Sequence, residues 1–328
     1  MSRKVCVIIN PASGKGRGAK AEPRIRAAFG AVGVTDIRST TAKGDERHVA
    51  LRAIEDGVDT IVAVGGDGTW GNVANAILGA QAPVRLAFAA AGTGNDFAKT
   101  VGAPALDFAA TARLAVDDAD MLVDVGQIEG KYFLNVAGFG FDIAVIEDVE
   151  RITWLRGNAV YLYSALRQLF GYQGMTAGVT TPAHGLGAER RHLMLIVANG
   201  KNFGGAFRIA PAASVTDGQL DAVSIAVASP FRRMKLFASA TRGTHVALPE
   251  VRIEQAPSFR LAFAEPPAYE TDGEYNRARS AVLEVSCVPG ALRVVTPAAA
   301  VTAATAVSAA TEAKAATATT PAMGITPA

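Results

Sequence analysis

The chain has 328 residues, half of them hydrophobic, and its 32 Lys and Arg nearly balance 30 Asp and Glu for a formal charge of +2. That length houses two domains with sizeable cores, and so small a charge does not imply a nucleic-acid partner, although local basic patches could still touch anionic surfaces. Two cysteines, Cys6 and Cys287, give no disulfide framework and fit a reducing compartment.

Met1-Ser2-Arg3-Lys4 passes straight into a predicted strand at 4–10, leaving no room for a signal peptide, and no apolar run reaches membrane-spanning length. The expectation is a cytoplasmic protein whose membrane contact is peripheral. The first strand empties into Asn10-Pro11-Ala12-Ser13-Gly14-Lys15-Gly16-Arg17-Gly18, a loop of small residues, glycines and cations. A helix near 19–32, a strand at 34–39, a helix at 45–56 and a strand at 59–64 follow. That last strand runs into Gly65-Gly66-Asp67-Gly68-Thr69, where glycines let backbone N–H groups approach an anion and the helix beginning at Thr69 points its positive end at the same place. Asp67 would then sit near a phosphate-bound metal, although a tight strand-to-helix turn also accounts for two of the glycines.

The helix at 69–79 puts Trp70, Val73, Ala74, Ile77 and Leu78 on one face, which fits core packing better than ligand stacking. A strand at 84–90 then ends in a second glycine-rich turn, Gly92-Thr93-Gly94-Asn95-Asp96-Phe97, before helices near 96–101 and 107–117. Alternating strands and helices predict an N-terminal parallel α/β domain over residues 1–120. Loops after neighbouring parallel strands converge on one crevice, so the three glycine-bearing loops are expected to share a ligand. Gly66 to Gly71 formally fits the dinucleotide pattern, but no acidic residue ends a following strand at the required distance. A P-loop fails because Gly16 follows Gly14-Lys15 where Ser or Thr is needed.

From Asp120 the pattern changes to strands near 121–128, 131–138, 176–181, 191–198, 206–210, 219–228, 250–255, 258–264, 281–288 and 291–296, an antiparallel β-sandwich domain over 121–296. Its interruption is a helix at 158–171. Around it Trp154, Tyr161, Tyr163, Phe170 and Tyr172 mix with Arg151, Arg156 and Arg167, which suits either a membrane interface or an aromatic helix packed on the sheet. Glu270-Thr271-Asp272-Gly273-Glu274 sets carboxylates on either side of a glycine; it reads as a hairpin turn or as a site where one acid takes a proton and another orients it or holds metal. Asp217, in the turn Ser214 to Asp221, could bind a hard cation with nearby carbonyls, or simply make a turn. His48, His184, His192 and His245 lack metal-ligand spacing. Residues 297–328 form an Ala/Thr-rich tail expected to be disordered.

Taken together these segments resemble the diacylglycerol kinase catalytic-domain family, in particular the small bacterial lipid kinases of the diacylglycerol kinase and YegS type. The markers occur in family order: Asn10-Pro11 with Ser13-Gly14-Lys15, Gly65 to Thr69, Gly92-Thr93 with Asn95 to Ala98, Asn135 with Gly138 to Asp142, Asn199-Gly200 with Gly204-Gly205, Pro211-Ala212 with Asp217-Gly218, and Asp272-Gly273-Glu274. The Gly65 to Thr69 run alone would also suit NAD kinases or phosphofructokinase-like folds.

The resemblance implies ATP held between the domains by Asn10, Pro11, Ala12, Ser13, Gly14, Thr41, Gly66, Asp67, Gly68, Thr69, Trp70, Gly71, Asn72, Thr93 and Asn95. It implies Mg²⁺ organised by Asp67 and Asp96, a second, structural Mg²⁺ at Ser214, Asp217 and Gln219, and Glu274 as general base with Asp272 beside it. The acceptor it implies is a primary hydroxyl of diacylglycerol or a related lipid at a membrane surface. A sphingoid base, ceramide or another amphiphilic alcohol is the alternative acceptor, an inactive nucleotide- or lipid-binding homologue the alternative class, and a homodimer a compatible assembly. One departure stands out: relatives usually read GGDGTxNE, and here Trp70-Gly71-Asn72 occupies x-Asn-Glu, losing the charge at position 72.

Overall fold

The uncharged run Val5–Ile9 forms β1 with all five residues buried. A strand buried on both faces needs helices above and below it. The chain supplies them by alternation: α1 (Ser13–Gly30), β2 (Asp36–Ser39), α2 (Asp45–Glu55), β3 (Thr60–Gly65), α3 (Asp67–Gly79), β4 (Arg85–Ala90), α4 (Asp96–Thr100) and α5 (Phe108–Val116). The computed structural model describes residues 3–298 other than 43, 105–106, 118, 153–157 and 184–188.

The first four strands are parallel in the order β2-β1-β3-β4. Ile9 lies beside Val64 and Val64 beside Ala89, so β1, β3 and β4 end level with one another. Because the chain leaves β1 for β2 on one side and returns to β3 on the other, the β1/β3 seam is the switch point where open parallel sheets bind ligands. Alternate side chains serve the two faces. Ile8, Ile61, Phe88 and Trp70 pack in one core layer, and Val7, Val62, Ile25 and Phe29 in the other.

The second half comprises β5 (Asp120–Ile128), β6 (Lys131–Phe133), β7 (Val136–Gly140), α6 (Phe141–Arg151), α7 (Asn158–Gly171), β8 (Met175–Thr180), β9 (Arg190–Ala198), β10 (Leu220–Ala226), α8 (Pro230–Ala240), β11 (Val251–Ala256), β12 (Ser258–Phe263), β13 (Ala268–Thr271), β14 (Glu274–Arg277) and β15 (Val282–Val295). Its pairings are antiparallel, and β15 joins the halves by pairing with β5 and β12 and meeting β4 in parallel at Val294 and Leu86.

Several expected elements differ. The strand expected at 206–210 is a single bridge, Phe203 to Phe207, because Gly204 and Gly205 turn the chain at positive φ immediately before it. The strands expected at 281–288 and 291–296 are one strand, bulged at Pro289-Gly290: proline has no N–H for the ladder, and the Gly290 N–H goes to Asp124 Oδ1 at 2.8 Å. The strand expected at 131–138 divides into β6 and β7, which pair with different partners. Helices α6 and α8 were not expected; α8 opens with Pro230, well placed in a first turn where no N–H is needed. Trp154 and Arg156 of the aromatic segment, and most of the tail, lie outside the described residues.

Candidate functional site

The level ends of β1, β3 and β4 bring three loops into contact. A methyl group built on Gly14 would lie 2.2 Å from Ala91 O, and one on Gly92 would lie 2.4 Å from Gly66 Cα, so only glycine fits where the loops touch. Arg17 joins the first loop to the third, donating to Gly14 O at 3.2 Å and Gly92 O at 2.6 Å. Asn10 turns the first loop: its Oδ1 accepts from Ala12 N at 3.0 Å and its carbonyl from Ser13 Oγ at 2.9 Å. Pro11, Ala12 and Ser13 follow at the surface of this turn.

Helix α3 starts two residues earlier than its sequence pattern indicates, at Asp67, behind extended Gly66 and with no side chain capping it. Its first N–H groups, those of Gly68 and Thr69 included, are therefore aimed into the cradle with the positive end of the helix dipole behind them. Asp67 Oδ1 accepts from Asp96 N at 2.8 Å and Phe97 N at 3.3 Å, tying the second loop to α4. Burial, reinforced by Asp96, holds the Asp67 carboxyl above its usual range. Asp96 binds Lys99 Nζ at 2.9 Å and Gly205 N at 2.8 Å. Asn95 adopts positive φ and donates to Gly92 O, while Thr93 lies exposed at the rim. Thr41 is exposed on the opposite rim, its N–H and hydroxyl held by Asp45 Oδ2.

Trp70 needs a correction as a nucleotide contact. Its indole is fully buried, donates to Ala63 O at 3.0 Å and packs edge-on to Phe88. The apolar face of α3 turns it inward, away from the cradle.

Across α3 stands the β13–β14 hairpin. Asp272 and Gly273 both have positive φ, the two-residue turn whose twist suits a tight hairpin. The Asp272 carboxylate accepts from Leu134 N, Asn135 N and Val136 N at 2.7, 2.9 and 3.1 Å. Burial nevertheless pushes its pKa up to about 7. With both oxygens engaged by backbone, Asp272 fixes the hairpin, and both Asp272 and Glu274 line the cleft. A methyl on Gly68 would lie 3.9 Å from Glu274 Oε1, and Asn72 Nδ2 donates to that oxygen at 3.3 Å. The cleft beside them is lined by Arg47, Gly68, Gly71, Asn72, Lys131 and Glu274.

Sequence reasoning missed Glu46. It enters from the first turn of α2, is 3 % exposed, and accepts from Asn10 Nδ2 at 2.7 Å, Thr69 Oγ1 at 3.4 Å and Asn72 Nδ2 at 3.5 Å. The only sequence signal was an acid following Asp45, which reads as ordinary charge in a helix's first turn.

Among the described residues no group of three or more His, Cys, Asp or Glu side chains could hold a metal. A phosphate-bound Mg²⁺ draws most of its ligands from phosphate and water, so one or two carboxylates suffice. Asp67 Oδ2 and Asp96 Oδ2 both face Gly94, where a methyl would lie 3.0 and 3.4 Å from them, and they fit that demand. At the other proposed cation site, Asp217 accepts from Gln219 N and Gln255 Nε2, both at 3.1 Å, and Ser214 Oγ lies 3.3 Å from Thr216 Oγ1. Burial and then neighbouring Asp217 push Asp221 up to about 6, and burial and then Asp124 raise Asp217.

Residues 4–128 match the diacylglycerol kinase catalytic domain, and residues 135–296 match the YegS C-terminal NAD kinase beta sandwich-like domain. The chain is 31% identical over 304 residues to a diacylglycerol kinase of Mycobacterium tuberculosis (strain H37Rv), covering 90% of this chain and 95% of the relative. It is 34% identical over 268 residues to a probable lipid kinase YegS-like of Pseudomonas aeruginosa (strain PAO1), covering 80% and 85%. In fold it is similar to a putative diacylglycerol kinase from Bacillus anthracis str. Sterne, with a TM-score of 0.73 at 23% identity over 91% of this chain and 98% of the other.

Proposed function

The chain belongs to the diacylglycerol kinase family and is a lipid kinase, and on that premise we propose the reaction its cleft performs. The γ-phosphoryl group of ATP passes to a primary hydroxyl of diacylglycerol or a related lipid, with Glu274 as general base. The observation that carries this reading is the position of α3: its N-terminal turn faces the three phosphate loops, and the same turn, at Gly68, faces Glu274.

Phosphoryl transfer asks mainly for positioning and charge neutralisation. The triphosphate lies against Asn10 to Gly14, Gly66 to Thr69 and Thr93. Mg²⁺ held by Asp67, with Asp96 beside it, supplies charge neutralisation at the phosphates when bound. The lipid hydroxyl gives its proton to Glu274 as its oxygen bonds to the γ-phosphorus, the bond to the bridging β–γ oxygen breaks, and ADP leaves. Asn72 orients Glu274, and Asp272 fixes the turn that carries it. The structural cation belongs at Ser214, Asp217 and Gln219. Because such an acceptor resides in a bilayer, the enzyme works at the cytoplasmic membrane surface as a peripheral protein; no helix among the described residues is long and apolar enough to cross a membrane.

The test is transfer of radiolabelled phosphate from ATP to a lipid panel of diacylglycerol, ceramide and sphingosine. Diacylglycerol is expected to be labelled, and labelling of ceramide or sphingosine alone would move the acceptor to the sphingoid class. Glu274→Gln is expected to keep ATP binding and lower phosphorylation by about 10²–10⁴-fold, the usual contribution of a general base. A loss below about tenfold, with chemistry rate-limiting, would remove Glu274 from that role.

A further inference from the structure

A buried carboxylate beside a triphosphate site repels the ligand, so its presence needs a reason that the phosphate loops do not supply. Glu46 is such a group. Its oxygens accept N–H groups from two amides that belong to different parts of the site, Asn10 of the first loop and Asn72 of α3. A carboxylate only accepts hydrogen bonds, so it fixes which end of each amide faces it. With Nδ2 of Asn10 turned to Glu46 Oε1, the amide oxygen of Asn10 is left facing Ala12 N, the contact that shapes the first loop. With Nδ2 of Asn72 turned to Glu46 Oε2, the same nitrogen also reaches Glu274 Oε1. Asn72 therefore bridges two carboxylates, one N–H to each, and Thr69 Oγ1 closes the network by accepting from Asn10 Nδ2 at 2.9 Å.

We infer that Glu46 is a positioning residue for phosphoryl transfer, holding Asn10 in the phosphate loop and, through Asn72, holding Glu274 toward the acceptor. It supplies from α2 the negative charge that the family pattern places at position 72, where this chain has Asn. The link to Glu274 rests on the general-base reading above; the link to Asn10 does not.

Glu46→Ala removes the acceptor, and Glu46→Gln, closest in shape, replaces one acceptor oxygen with a donor facing an N–H group, which guards against a folding defect in the smaller variant. Both are to be measured for melting temperature, for binding of a non-hydrolysable ATP analogue, and for kcat and KM on lipid. The expectation is a folded protein, analogue binding weakened about tenfold through Asn10, and kcat lowered on the order of 10- to 100-fold, the span of one charge-assisted hydrogen bond. Asn72→Ala, which removes the bridging amide, should lower kcat by a similar factor, and combining it with Glu46→Ala should add little further loss in kcat, because both act on Glu274 through the same bridge. Additive losses in that double variant, or unchanged binding and kcat in Glu46→Gln, would overturn the inference. Should Glu274→Gln retain kcat while Glu46→Ala still weakens analogue binding, the general-base reading falls and the Asn10 role of Glu46 stands.

Discussion

The two oxygens of Asp67 face different neighbours, which under the proposed reaction gives the residue two separable duties. Oδ1 caps the start of α4 through Asp96 N and Phe97 N, while Oδ2 faces Gly94 at the mouth of the cradle. Asp67→Asn keeps an oxygen for the two N–H groups and removes the charge that the proposed phosphate-bound cation would need. It is expected to melt within a few degrees of the parent and to lose at least about 100-fold in kcat at saturating Mg-ATP. Asp67→Ala should lose activity to the same extent and also about 1–3 kcal/mol of stability, because two donors lose their acceptor. Melting curves and lipid kinase assays on both variants check this, and near-parental turnover in either would reject Asp67 as part of the phosphate site. The glycine-rich turns and the Asp272-Gly273 hairpin could be read from the chain because turn chemistry is local, whereas Glu274 was singled out only by the family resemblance. Glu46 could be read from neither, since its partners Asn10, Thr69 and Asn72 are brought to it only by the packing of α2 on α3. Trp70 lay within the glycine-rich motif, but it takes its environment from the apolar face of α3.

Helices α7 and α8, which pack on one another, carry several of the exposed large apolar side chains among the described residues. Tyr163, Leu166 and Phe170 recur along one face of α7, and Phe231 and Met234 along α8, with Phe231 77 % exposed. Arg233 fastens the two helices by donating to Leu169 O and Tyr172 O, at 2.9 and 2.7 Å, so both faces move as a unit. Apolar side chains set beside Lys235, and beside Arg167, which is paired with Asp148 at 2.6 Å, would suit insertion into an anionic lipid surface. Leu166→Ser with Phe231→Ser is expected to reduce flotation with vesicles containing anionic lipid by at least about tenfold, from the lost burial of two large side chains. Turnover on detergent-dispersed lipid should be retained. Equal flotation of the parent and the double variant would remove this face from membrane contact. The 158–171 helix was visible as a pattern, whereas α8 was hidden because a short helix opening with Pro230 between strands resembles another turn in an antiparallel domain. The β15 bulge was hidden for the opposite reason: Pro289-Gly290 reads as a break between two strands, and only the pairing with β5 on both sides shows one continuous strand.

At the scale of the whole molecule, β15 makes the parallel and antiparallel halves one sheet, so the hairpin bearing Glu274 is held relative to the phosphate loops by continuous backbone pairing. That architecture buries acids behind the hairpin. Glu270 of β13 and Asp142 of α6 face the same glycine, where a methyl on Gly138 would lie 2.6 Å from Asp142 Oδ2 and 3.1 Å from Glu270 Oε1. Burial, which outweighs the nearby backbone N–H groups, pushes Asp142 up to about 6, and burial followed by Asp142 itself raises Glu270 well above the carboxylate range. A carboxyl whose pKa is raised by folding favours the folded state while protonated. Its contribution is full below the unfolded value of 3.8 and is lost as pH rises through about 6. Asp142→Asn cannot ionise and escapes that loss. Comparing the two proteins cancels the opposite trend of ordinary surface carboxylates, so the stability of Asp142→Asn relative to the parent should improve by roughly 2 kcal/mol between pH 4 and pH 7. Denaturant unfolding at several pH values measures the difference directly. A difference that stays flat across that window, or one that favours the parent as pH rises, would mean the pair is ionised without cost in the folded protein, and that a bound cation or an incoming donor group stabilises the charge at the back of the hairpin.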